Sequence, residues 1–158
     1  MAYNVLTDLK RGDDILLYVL DSTYKPIAFA TSCSVQVDGE TIDTSNKMSG
    51  RWASNLAGRN SYTVSCDALY TKNTGHTSYD YLLSQMVSGN GVKWVMSSPS
   101  SADTTDFAYV ADNAIASGTA LITSLSLNAG NNEVASCSIT LTGVGELSNS
   151  APASGSTQ

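Results

Sequence analysis

Along much of this 158-residue chain, apolar residues alternate with residues bearing hydroxyl groups. In SCSVQVDG (32–39), Cys33, Val35 and Val37 alternate with Ser32, Ser34, Gln36 and Asp38. In SYTVSCDA (61–68), Tyr62, Val64, Cys66 and Ala68 alternate with Ser61, Thr63, Ser65 and Asp67. SCSITLTG (136–143) repeats the pattern, with Cys137, Ile139 and Leu141 against Ser136, Ser138, Thr140 and Thr142. A period of two describes a strand with one apolar and one polar face. Each of the three cysteines sits on the apolar face, where an unpaired thiol packs as a small hydrophobe.

The rest of the chain divides around these strands. DDILLYVLD (13–21) is nearly all apolar in its middle, as expected of a strand covered on both faces. IAFATSCSVQVDG (27–39) predicts one long strand ending at Gly39. The stretch 40–60 has no sustained period and predicts a long loop or arm, with Met48 and Trp52 as exposed contact residues. SYDYLLSQMVSGNG (78–91) predicts the one helix, with Tyr79, Leu82, Leu83 and Met86 as a core-facing stripe. Thr77 is placed to cap its start, Asp80 to favour the dipole's positive end, and Gly89 to close it. Val92, Trp94 and Met96 then share one strand face. A polar loop follows over 98–106, and FAYVA (107–111) reads as a short strand. The segments 118–130 and 133–143 predict a β-hairpin turning through AGNNE. About seven or eight strands and one helix make the fold mainly β, a β-sandwich or barrel with one flanking α-helix. One domain is expected over 1–147, with a flexible Ser/Ala-rich tail at 148–158.

Composition removes several function classes. No apolar run approaches the roughly 18 residues of a membrane helix. The N-terminus lacks the basic-then-apolar order of a signal peptide. Net charge is −6, and the eight basic residues (Lys10, Arg11, Lys25, Lys47, Arg51, Arg59, Lys72 and Lys93) are dispersed rather than clustered, which argues against gripping nucleic-acid phosphates. The cysteines are widely spaced and lack a C-x-x-C pair. With a single histidine, His76, in a turn-like segment, they form neither a disulfide framework nor a zinc pattern. No nucleophile elbow, zinc-protease, P-loop or dinucleotide-binding motif occurs. The carboxylate pairs Asp13/Asp14 and Asp103/Asp106 sit at a strand entry and in a polar loop, without the aromatic cleft that glycoside chemistry needs. The reading is a non-enzymatic domain with no cofactor and no metal.

The ordered segments resemble a family, the major tail tube proteins of long-tailed bacteriophages. The likeness lies in ATSCSVQVDGETIDTSNK, GRNSYTVSCDALY, the helix YDYLLSQMVSG, and the closing GTALITSLSLNAGNNEVASCSITLTGVGEL, and spans about residues 12–147. The resemblance implies a β-sandwich with a flanking helix that assembles with itself into stacked rings, usually hexameric. The tube so formed would conduct genomic DNA into the host. Its implied partners are the tail tip or baseplate, tape measure and tail terminator proteins. Its implied place is the virion tail, assembled in the host cytoplasm without membrane insertion. On this reading Met48 and Trp52 anchor contacts between subunits, and Arg51 and Arg59 donate salt bridges there. Asp38, Asp67 and Glu133 face the lumen, where negative charge repels phosphates. Two alternatives stand beside it: an inner tube protein of a contractile particle or secretion system, and a monomeric carbohydrate-binding or decoration module.

Overall fold

The computed structural model describes residues 12, 15–27, 30–72, 76–98 and 109–152. The described residues form seven strands: β1 Leu16–Leu20, β2 Tyr24–Pro26, β3 Ala30–Asp43, β4 Asn55–Leu69, β5 Val92–Ser97, β6 Ala114–Asn128 and β7 Ser136–Ser148. The helix α1, Tyr79–Ser88, lies between β4 and β5 in sequence. All seven strands form a single sheet in the order β2-β1-β5-β6-β7-β4-β3, with every neighbouring pair antiparallel.

This sheet rolls up on itself instead of splitting into two layers. Tyr62 of β4 and Trp94 of β5 have ring centroids 5.8 Å apart, although β7 and β6 separate their strands in the sheet. The edge strand β3 likewise comes into contact with β1 near the opposite edge. The apolar faces of β1, β4, β5, β6 and β7 thereby converge on one core, which includes Leu17, Val64, Cys66, Trp94, Ile139 and Leu141. Burial of such side chains contributes about 1.5–3 kcal/mol each. α1 packs against β6 and inserts Leu82 into the same core.

Close packing at the centre depends on two missing side chains. The Tyr62 ring lies over Gly143 of β7 and reaches Gly118 of β6, where a Cβ would stand 2.5 Å from the Tyr62 hydroxyl. That hydroxyl donates a 2.6 Å hydrogen bond to the Thr119 carbonyl. The two glycines create a slot on the sheet that the aromatic ring fills.

The two halves of the sheet differ on their other face. Leu17, Tyr18 and Val19 are all fully buried, as the unbroken apolar run in β1 predicts. Tyr109 supplies the second cover, with its ring centroid 5.6 Å from Tyr18 and 4.8 Å from Tyr24. Ser97, also buried, donates to the Val110 carbonyl at 3.3 Å. Among the described residues nothing comparable covers β3, β4, β6 and β7, whose outward positions are mostly hydroxyl or other polar side chains.

Several expectations require correction. The 40–60 stretch is not a loop throughout: β3 continues past Gly39 to Asp43 and β4 starts at Asn55, pairing Thr41↔Ala57, Ile42↔Leu56 and Asp43↔Asn55. A hairpin exposed on both faces has no buried side to enforce alternation, so its sequence carries no period. Thr77 does not cap α1. Ser78 occupies the N-cap without a side-chain bond, while the buried Thr77 donates its N–H to the Pro26 carbonyl and its hydroxyl to that of Lys25. Thr77 therefore ties the helix start to β2. Of the helix stripe only Leu82 is buried, and Leu83 and Met86 are partly exposed. At the other end Gly89 adopts φ 70°, and the N–H groups of Gly89 and Asn90 close onto the Met86 and Gln85 carbonyls, as its sequence position predicts. Of the strand expected at 107–111, residues 107–108 lie outside the described residues, and Ala111–Asn113 is a 3-10 turn. The pairs Asp13/Asp14 and Asp103/Asp106 also lie outside the described residues.

The C-terminal part of β7 extends the hairpin that AGNNE joins. Beyond it, Ser150 accepts a 2.6 Å hydrogen bond at its carbonyl from the buried Ser117 hydroxyl of β6. Residues 153–158 of the expected tail lie outside the described residues.

Burial of phenols gives the fold an alkaline limit. Desolvation raises the phenol pKa of Tyr24, with Tyr109 adding to it, and raises those of Tyr81 and Tyr109. Each folded pKa lies above its unfolded value, so this contribution is complete below about pH 10 and is lost as pH climbs through the folded values. Chemical-denaturation midpoints are expected to hold from neutrality to about pH 9 and to fall above about pH 10. A flat midpoint through that upper range would contradict the assignment.

Candidate functional site

Two surfaces stand out, a hydroxyl-covered face and the tip of the β3–β4 arm. The face follows directly from register. Cys33, Val35 and Val37 of β3 pair with Cys66, Val64 and Tyr62 of β4, so Ser32, Ser34, Gln36 and Asp38 share the opposite face with Asp67, Ser65, Thr63 and Ser61. β7 continues it with Ser138, Thr140 and Thr142, and β6 with Ser126 and Ser124. Four strands thus carry a sheet face of small polar groups. No Lys or Arg occurs in β3, β6 or β7, and β4 carries only Arg59.

Hydrogen bonds hold these side chains across the strands. Asp67 accepts from Ser138 Oγ at 2.7 Å and from Ser32 Oγ at 3.2 Å, so one carboxylate links β3, β4 and β7. The Gln36 amide donates to Asp38 at 3.1 Å, and the Thr123 and Thr142 hydroxyls meet at 3.1 Å. Asp38 and Asp67 stand on the same face, about 20 Å apart along the strands given their separation in register. Glu133 does not join them. It lies in the β6–β7 turn, beyond the end of the sheet that holds Asp67.

The arm tip, residues 44–54, is organised by its own polar groups. Asp43 accepts from the Ser45 N–H at 2.8 Å, and Asn46 Oδ1 accepts from the Met48 N–H at 2.8 Å. The Asp43 carboxyl is held below its usual pKa by hydrogen bonds from the Ser45 side chain and then its backbone. Thr44 and Ser54 face each other, with the Thr44 N–H on the Ser54 carbonyl at 2.8 Å. Gly50 turns the chain at φ 65°. The tip projects Met48, 95% exposed, and Trp52, 86% exposed, with Arg51 between them. Arg59 is not at the tip. It lies on β4 next to the irregularity between the Gly39 and Thr41 pairings.

Sequence reasoning missed Ile42 and Leu56, directly paired on the arm and both more than half exposed. Two apolar residues equidistant from the Ser/Thr/Asn-containing tip were the available signal. Among the described residues no group of three or more His, Cys, Asp or Glu side chains could hold a metal ion. No helix among them is long and apolar enough to cross a membrane.

The sequence matches the phage tail tube protein family over residues 9–149, nearly its whole length. The chain belongs to that family. Its members are structural components of virion tails, which is the role of this tail tube protein. The match includes the four stretches that suggested the resemblance, together with the arm and the hydroxyl face.

Solved structures share the fold. A chain from the virion of a native gene transfer agent particle superposes with a TM-score of 0.71 at 21% identity, covering 90% of this tail tube protein and 100% of that chain. The SPP1 tail tube subunit gives 0.65 at 13% identity, over 89% of this chain and 78% of that one. A chain from the sheath-tube complex of an extracellular contractile injection system gives 0.57 at 14% identity, over 91% and 94%. No curated protein matches the chain by sequence.

Proposed function

We propose that copies of this tail tube protein close into rings with the face of β3, β4, β6 and β7 turned inward, and that the rings stack through the arm. The observation that carries this reading is the hydroxyl face itself: a broad exposed sheet surface with Asp38 and Asp67 on it and no basic side chain on three of its four strands. DNA passing along such a wall meets hydration and weak repulsion, with Arg59 the single basic side chain on the four strands. Edge strands β2 and β3 are the natural junctions between neighbours, because among the described residues no further strand pairs with their outer backbone groups. The tail of an empty gene transfer agent particle, whose chain has this fold, has C6 symmetry, which supports six copies per ring here.

Trp52 and Met48 are apolar anchors for the next ring, and Arg51 pairs with its acidic groups. Arg59, nearer the root of the arm, serves the contact within a ring. Glu133 belongs at a rim, while Asp38 and Asp67 line the lumen. Assembly takes place in the bacterial host cytoplasm with a tape measure, a terminator and a tip complex as partners. Residues 1–147 act as one domain, and Ser148 and Ser150 continue it instead of starting a flexible tail, held by strand pairing and by the Ser117 hydroxyl.

Electron microscopy of concentrated purified protein tests the reading: hollow tubes wide enough for duplex DNA are expected. A persistent monomer with affinity for glycans would favour a binding module instead. The lumen assignment has its own test. Ser65→Lys places one cation per subunit on the face without touching the core. Virions carrying it are expected to release DNA at least about tenfold more slowly at low salt, with recovery as salt rises. Release at the normal rate would move the face away from the DNA.

A further inference from the structure

Strand pairing brings two thiols into direct opposition. Cys33 of β3 and Cys66 of β4 are cross-strand partners, with Sγ atoms 2.8 Å apart. Cys137 of β7 pairs with Ala68, one step further along the same face. All three are free thiols; Cys66 and Cys137 are buried, while Cys33 is half-buried. Cys33 also lines a cavity of about 400 Å³ with Ile15, Leu16, Thr31, Ser32 and Met96, which gives a small reagent an approach.

The geometry suits a bond between the first two. Paired residues in antiparallel strands hold their Cα atoms about 4.5 or 5.5 Å apart. Both values fall in the range a disulfide spans, about 4.4–6.8 Å, so rotation of the side chains suffices. The two thiols are also unequal. A hydrogen bond from Cys66 favours the Cys33 thiolate, whereas the same contact together with burial pushes the Cys66 thiol up. The more acidic sulfur is the accessible one, as an attacking thiol must be.

We propose that Cys33 and Cys66 are an oxidation site, closed to an intrachain disulfide by low-molecular-weight disulfides such as oxidised glutathione. The Cys33 thiolate attacks one glutathione sulfur, forming a mixed disulfide and releasing one glutathione thiolate. With Cys33 no longer a thiolate that holds its proton, the Cys66 thiol loses that proton to solvent as it attacks Cys33 Sγ, and the second glutathione thiolate leaves. Two protein thiols lose two protons and two electrons, and one glutathione disulfide is reduced to two glutathiones. The bond fastens the edge strand β3, which carries the arm, to β4. Thiols stay reduced in a cytoplasm and are oxidised outside it, so the bond would close after a particle leaves its host. That timing rests on the tube reading, whereas the chemistry does not.

The test uses the full chain, reduced and then incubated natively with oxidised glutathione, unfolded, and labelled with a maleimide. One reactive thiol, Cys137, is expected where the untreated chain shows three, and peptide mapping should return a Cys33–Cys66 link. The melting midpoint should rise by about 5–10 °C and return on reduction. Cys66→Ser should stop at the mixed disulfide on Cys33, and Cys33→Ser should take up no glutathione. Three free thiols after treatment, or a bond through Cys137 or to a second chain, would overturn the proposal. Microscopy of Cys33→Ser separates the two readings, because loss of the disulfide leaves tube formation intact.

Discussion

A subunit whose arm tip, residues 45–53, is replaced by the dipeptide Asn-Gly is expected to fold normally and to form no tubes. The arm leaves the sheet as a hairpin closed by Thr44 and Ser54, whose backbones already pair across it. A two-residue turn can close the strands there, since Asn-Gly adopts the twist that a tight hairpin requires. The core loses nothing, because every residue removed lies outside it. What disappears is the pair of exposed apolar side chains, Met48 and Trp52, together with Arg51. Large aromatic anchors dominate association energies, each contributing about 2 kcal/mol or more. Trp52→Ala alone should therefore raise the concentration needed for assembly by roughly 30-fold. Circular dichroism and sedimentation of the shortened variant decide the matter. Tubes of normal length from it would remove the arm from the assembly mechanism.

The second large effect concerns folding. Gly143→Val should destabilise the subunit by about 3 kcal/mol or more, because its Cβ would overlap the ring carbons of Tyr62. The ring has no free direction: it packs on Trp94, and its hydroxyl is fixed on the Thr119 carbonyl. Tyr62→Ala empties the same slot and should cost about 3–5 kcal/mol, as other buried aromatic truncations do. The double variant is the informative one. Valine partly fills the space that the ring vacates, so the combined loss should be smaller than the sum of the single losses. Thermal melts should report about 2–4 °C for each kcal/mol lost. A melting point for Gly143→Val equal to the parent's would mean that the slot yields at no cost.

Strand faces were readable wherever one side of a strand is buried and the other wet. The hydroxyl–cysteine alternation of β3, β4 and β7 is such a case, and register places each cysteine with its apolar neighbours. The unbroken run in β1 also announced cover on both sides, although it could not name Tyr109 as the second cover. The arm was not readable as strand. Ile42 and Leu56 meet in solvent, and pairing without burial imposes no alternation. Thr77 misled for a related reason. A threonine before a helix suggests a cap, yet its hydroxyl reached the Lys25 carbonyl, a contact set by how β2 lies.

The candidate surfaces divide along the same line. Met48, Arg51 and Trp52 are close in sequence, and a turn keeps them together whatever the rest of the chain does. Asp38 and Asp67 are far apart in sequence and reach one face only because β3 and β4 pair in a particular register. Glu133 misses that face by belonging to a turn.

By itself, the sequence determined which residues face inward along the alternating parts of β3, β4 and β7, where the helix stops, and that positive charge is sparse. These are local properties, fixed by side-chain periodicity, by a glycine able to take positive φ, and by composition. Tertiary structure alone decided that one sheet rolls around one core, that Tyr62 occupies a slot left by Gly118 and Gly143, and that Cys33 meets Cys66. Each depends on strands distant in the chain becoming neighbours. Partner and register are set by the joint burial of all the apolar faces, and no short stretch encodes that alone.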